Sequence, residues 1–158
     1  MTLDAALLEK LANWRPDSGR QTLTIPDPAS GWTTAVTAEC ADVVGCRLWE
    51  VHLTRSTPLA SSDLRTRAEA VAARATGLLE PLRLVEVDAE RQVALLRSGA
   101  PTARGDDRFY YEVRLHGDGS SWVRRYQGSH LLPTRLQVSF TLTHEVLAKL
   151  VADLTAPA

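Results

Sequence analysis

The stretch from 109 to 127 constrains this chain more than any other. It reads as two strands around Asp118-Gly119. Asp-Gly favours a two-residue hairpin turn, because both central positions need positive φ, which glycine adopts freely and aspartate tolerates. A turn there predicts Leu115 opposite Trp122, Val113 opposite Arg124 and Tyr111 opposite Tyr126. On the other face Glu112 meets Arg125 as a complementary cross-strand pair. The second half of the chain is therefore expected to be antiparallel sheet, which restricts the fold without declaring a chemistry.

A chain of 158 residues suits one domain with its own core, so 1–158 is read as a single unit. The formal net charge is −1, and arginines alternate with Asp and Glu. No block of like charge marks a nucleic-acid partner. The N-terminus lacks a basic start followed by an apolar run, so no signal peptide is expected. No apolar stretch approaches the ~18 residues needed to span a bilayer, and a cytoplasmic location without a membrane partner is the expectation. Cys40 and Cys46 are too few for a disulfide scaffold, and their C-x5-C spacing, with only His52 close in sequence, does not make a zinc site. They read as two small apolar residues, with no metal and no cofactor implied.

Along the chain, Thr2 caps a helix to about Trp14, with the stripe Leu3, Leu7, Leu11 and Trp14; Pro16 ends it. Residues 1–16 then either pack across a sheet edge or swap into a partner. Three strands follow, Gln21–Ile25, Trp32–Cys40 and Cys46–Thr54, with Glu39 facing Arg47 and Cys40 facing Cys46. Apolar residues on both sides of that hairpin predict that both faces are covered. Ser61–Glu80 is the clearest helix: Leu64, Ala68, Val71, Ala72, Ala75, Leu78 and Leu79 share one stripe, Arg65, Arg67, Glu69 and Arg74 fall off it, and Ser61, Ser62 and Asp63 offer caps. A hairpin Leu82–Val87/Val93–Arg97, a mobile loop 98–106, the Asp-Gly hairpin, a loop 128–134 and a strand 135–140 come next. Thr143 caps the last helix, and Leu142 staples onto Leu147. The order is α-βββ-α-βββββ-α. It predicts an α+β domain with one antiparallel sheet of about six to eight strands packed by three helices, an α/β/α sandwich.

That order, with Leu23-Thr24-Ile25-Pro26 leading to Gly31-Trp32, a strand ending Leu53-Thr54-Arg55, and Phe140-Thr141-Leu142-Thr143 entering the closing helix, resembles the PsbP-like family over residues 20–154. The family is a set of binding scaffolds, including chaperones that escort type VI secretion effectors. A second resemblance is to the type III secretion chaperone fold, which also has a leading helix. Both imply binding, not chemistry, and neither carries a catalytic motif onto this chain.

No nucleophile elbow, HExxH or phosphate loop is present, no catalytic residue is assigned, and His52, His116, His130 and His144 read as surface histidines. Binding residues are sought among the aromatics, since Trp, Tyr and Arg dominate interface hot spots. Tyr110, Trp122, Arg124 and Tyr126 are the candidates. Tyr110 lies out of phase with Phe109 and Tyr111. Arg124, in the predicted register, falls on an apolar face. It then reaches water along aromatic rings, pairs with an internal carboxylate such as Glu86, or anchors an acidic partner group. The function expected is a non-enzymatic protein-binding or adaptor module, chaperone-like, acting through its sheet and open to homodimer formation. The alternatives are a small-molecule or enzymatic pocket holding Arg124, Glu86 and Tyr126, and a lineage-restricted structural domain.

Overall fold

The computed structural model describes residues 1–59 and 63–157. In chain order the elements are α1 (Leu3–Leu11), β1 (Gln21–Asp27), β2 (Trp32–Ala41), β3 (Gly45–Arg55), α2 (Leu64–Arg74), β4 (Leu82–Asp88), β5 (Val93–Ser98), β6 (Thr102–Arg104), β7 (Asp107–His116), β8 (Ser121–Ser129), β9 (Leu132–Val138), β10 (Phe140–Thr143) and α3 (His144–Thr155). The class is α+β, with one antiparallel sheet and three helices, as the sequence predicts.

Seven strands lie side by side in the order β1-β2-β3-β8-β7-β5-β4. Their registers line up Leu84, Leu96, Val113, Val123, Val51, Val36 and Leu23 in one row, one residue from each strand. Every member lies in the core or packs against it. The helices bury their stripes on the same side: Leu3, Leu7 and Leu11 from α1, Leu64, Ala68 and Val71 from α2, and Leu147, Leu150, Val151 and Leu154 from α3. Burying each large apolar side chain stabilises the domain by about 1.5–3 kcal/mol. The caps are Thr2, Asp63 and Thr143, each accepting from a first-turn N–H. Ser61 and Ser62, the other expected caps of α2, lie outside the described residues.

One layer of helices therefore lies on one layer of sheet. The opposite face, predicted to be covered, carries no helix among the described residues. The helix α1 packs against α3 and belongs to the core.

Several expected details change. The Asp118-Gly119 hairpin closes with a three-residue loop, not a two-residue one. Gly119 N–H bonds the His116 carbonyl at 3.0 Å, His116 N–H bonds the Ser120 carbonyl at 2.9 Å, and only Gly119 has positive φ, +102°. This is a type I turn followed by a left-handed glycine. It shifts the register by one, so Leu115 faces Ser121, Val113 faces Val123, Tyr111 faces Arg125, and Glu112 faces Arg124. Because side chains alternate with period two, that single residue moves Trp122, Arg124 and Tyr126 to the helix-free face. In β2–β3, Cys40 faces Arg47 and Ala41 faces Cys46, with irregularities at Glu39 and Trp49. In β4–β5 a bulge sits at Val85. The helix α2 ends at Arg74, and Leu79 is exposed. Arg67, expected on the solvent side, is buried. Among the described residues there are ten strands rather than eight: β6 forms inside one expected loop, and the expected last strand starts earlier, inside the other, and divides into β9 and β10. His144, expected at the surface, is buried too.

The last two strands split the sheet. The half of β3 from Val51 to Leu53 pairs with β8, whereas Gly45–Leu48 pairs with β10. In turn β8 pairs with β9 from Arg125 onward. The chain enters the fork between β3 and β8 along β9, turns at Ser139 and leaves along β10. A cleft of about 980 Å³ lies in this fork. No helix among the described residues is long and apolar enough to cross a membrane.

Candidate functional site

The helix-free face carries its own row, directly beside the apolar one. Arg83 of β4, Arg97 of β5, Glu112 of β7 and Arg124 of β8 are successive cross-strand partners. Arg124 Nε donates to Glu50 of β3 at 3.2 Å, and Thr37 and Thr22 continue the line with hydroxyls 2.9 Å apart. A neighbouring row brings Leu95, Arg114 and Trp122 together, and another pairs Tyr110 with Tyr126.

At the centre Glu112 is fully buried, although no helix covers it. Arginines cover it instead: Arg97 and Arg114 lie 3.5 Å from its oxygens, and Arg135 of β9 donates to both. These arginines rest on rings. Arg124 lies 4.0 Å above Trp122 and Arg114 5.3 Å, while Arg135 lies 3.8 Å above Tyr126 and Arg97 5.6 Å above Tyr110. The two tyrosine rings are 6.1 Å apart. Cation–π stacking and the shared carboxylate hold the guanidiniums in fixed places. Burial works against the charge on Arg135, but the bonds to Glu112 and Tyr110 prevail and hold its pKa above the usual arginine value. The balance is the same at Arg124, where burial opposes and Tyr126 and Glu50 raise.

The residues predicted for binding, Tyr110, Trp122, Arg124 and Tyr126, thus share one face of the sheet, with Tyr126 buried beneath Arg135. Arg124 is not on an apolar face, and its partner is Glu50. Glu86 is exposed on the sheet edge, so Arg124, Glu86 and Tyr126 do not enclose a pocket. Sequence reasoning missed Arg97, Glu112, Arg114 and Arg135 as members of the site. The signal was the alternation Tyr110-Glu112-Arg114 against Trp122-Arg124-Tyr126, legible only in the correct register. Arg97, Arg114, Arg124 and Arg135 share Glu50 and Glu112, so this patch carries two more positive than negative charges.

The arginine that does face the helices is Arg125. It forms a bidentate pair with Glu80, both bonds 2.9 Å, and its guanidinium lies 4.2 Å over Tyr111. Ser98 and Thr102 each donate to Glu80 at 2.8 Å. Burial alone would raise the Glu80 pKa; the Arg125, Ser98 and Thr102 bonds outweigh it and hold the carboxyl below the ordinary range. Arg125, Tyr111 and Thr102 line the fork cleft.

Among the described residues no group of three or more His, Cys, Asp or Glu is placed to hold a metal ion. No protein-family model matches the sequence, and no curated protein or solved structure matches the chain.

Proposed function

We propose that this chain is a non-enzymatic protein-binding module whose helix-free sheet face takes an acidic segment of its partner. The observation that carries this reading is the fixed array of arginines around the buried Glu112, with positive charge in excess and Trp122, Tyr110 and Tyr126 interleaved. Guanidiniums held by stacking lose little freedom when a carboxylate arrives, and their remaining N–H groups match its geometry. Trp, Tyr and Arg are the residue types that anchor interfaces. A single-stranded nucleic acid fits less well: bases need free ring faces to stack on, and here guanidiniums already occupy them. The resemblance to PsbP-like binding scaffolds points to the same class of role.

The test is site-directed photo-crosslinking in the native host. A benzophenone amino acid replaces His52, beside Trp122 on the helix-free face, or Glu9, on the exposed side of α1. The expected result is a protein adduct from position 52 only. It should be lost at ~1 M salt, where the Debye length falls to about 3 Å, and lost in Arg114→Glu/Arg124→Glu. Equal labelling from position 9, or a nuclease-sensitive adduct, overturns the proposal.

A further inference from the structure

The fork between β3 and β8 is a second place where this chain can hold a partner, and its chemistry differs from that of the open face. The edge strands β1 and β4 are guarded in ways common to natural sheets. Pro26 lies within β1, where it supplies no N–H, and a bulge at Val85 with flanking Arg83 and Glu86 disrupts β4. The edge of β10 is not guarded like this. It pairs with β3 on one side only, and its other side borders the cleft. A Cβ on Gly45 would meet the Leu142 carbonyl oxygen at 2.6 Å, so Leu142 turns its backbone toward β3. Strand alternation then aims the N–H and C=O of Thr141 away from β3 and into the cleft.

The walls suit an extended chain. Phe140 and Leu142 offer apolar contact on one face of β10, while Arg47 and Ser139 offer polar contact on the other. Two of the three arginines lining the cleft are already neutralised, Arg125 by Glu80 at 2.9 Å and Arg47 by Glu39 at 3.0 Å. Arg104, at the end of β6 and 5.6 Å from the Phe109 ring, makes no ion pair among the described residues. The cleft therefore carries one uncompensated positive charge.

We infer that the fork receives an extended segment of the partner protein, which adds to β10 through the Thr141 backbone and sets an acidic side chain against Arg104. This rests on the reading of the chain as a protein-binding module and names where part of the partner sits. Main-chain bonds give such strand addition its affinity, and alternate side chains give it specificity.

The probe is a fluorescein-labelled Val-Asp-Val-Asp-Val-Asp-Val peptide. Its controls are the Val/Lys counterpart and an analogue N-methylated at alternate residues. The expected result is saturable binding at least about tenfold tighter than that of the Val/Lys peptide. It should be lost on N-methylation, and reversed in charge preference by Arg104→Glu, an exposed site that leaves the core intact. The Thr141 amide should gain protection from hydrogen exchange in the complex. Arg114→Glu/Arg124→Glu, which disables the open face, should keep this binding. No saturable binding, equal affinity for the two charges, or loss in the open-face variant with no change at Thr141 overturns the inference. The crosslinking from position 52 is read separately, so the fork can fail while the open face stands.

Discussion

Glu112 and Arg124 are direct cross-strand partners, yet each bonds elsewhere. Arg124 turns away from β7 to Glu50 of β3 at 3.2 Å, and Glu112 is taken by Arg97, Arg114 and Arg135. The carboxylate thus fixes three cations from three different strands, β5, β7 and β9. Among the described residues it is the one group that ties the late strand β9 to the middle of the sheet by charge.

Glu112→Gln should therefore cost more than a surface substitution. Removing one partner of a buried charge cluster costs about 3–5 kcal/mol where every member is buried. The arginines here are one-third to two-fifths exposed, so about 2–3 kcal/mol is expected. Urea denaturation should show the lower midpoint, with increased amide exchange in β9. An unchanged midpoint would mean that the cluster holds nothing together.

Arg67 joins α2 to the β7–β8 turn. Its guanidinium donates to the His116 carbonyl at 2.9 Å and the Gly119 carbonyl at 2.8 Å. Burial pulls its pKa below the usual arginine value, and Asp118 counters only in part. Arg67→Ala leaves the Gly119 carbonyl without this donor, while the His116 carbonyl keeps the Gly119 N–H, and should destabilise by about 1–3 kcal/mol. Arg67→Lys should recover part of this, because an ammonium cannot span both oxygens as a planar fork does. Thermal melts of both variants decide it; full recovery by lysine would reduce Arg67 to a lone charge.

The class and element order were legible because the helices have long stripes and clear caps: Thr2, Asp63 and Thr143 all serve as read. Which face a strand residue takes was not. The two register errors each trace to one extra residue, at the Gly117–Gly119 loop and at Glu39. Such insertions leave the composition of a strand unchanged. Apolar and polar residues occur on both faces here, so alternation alone could not locate them. Tyr110, Trp122, Arg124 and Tyr126 were recognised by residue type, and that survives a slip in register. The partners of Arg124 depend on register, and they were misread. The fork was invisible for another reason: β9 and β10 read as one strand, and only pairing to two different neighbours separates them.

Glu80 supplies a pH dependence with a defined sign. Its folded pKa is depressed, so the unfolded chain binds the proton more readily. The stabilisation is then complete above the unfolded value, about 4.3 for Glu, and fades as pH falls through the lower folded value. Glu80→Gln should remove this part of the acid transition and destabilise the protein at neutral pH, since Arg125 loses its bidentate partner. Urea midpoints measured from pH 7 to pH 3 should converge for the two proteins at the acid end. Parallel curves would place the acid sensitivity elsewhere.

The two thiols should behave oppositely. Cys40 is exposed and Cys46 is buried, and the two are not bonded to each other. Burial, assisted by Asp42, pushes the Cys46 thiol up to about 11. At pH 8 only about a thousandth of it is thiolate, the reactive form. A chromogenic disulfide reagent should therefore titrate Cys40 first in the native protein. The second equivalent should appear slowly in the native protein, through local opening, and at once when guanidinium unfolds the chain. Because Cys46 lies in β3 opposite Leu142 of β10, the rate at which it becomes reactive reports the opening of that strand pair. A binding partner seated in the fork should slow this reaction, whereas one bound only at Trp122 should leave it unchanged.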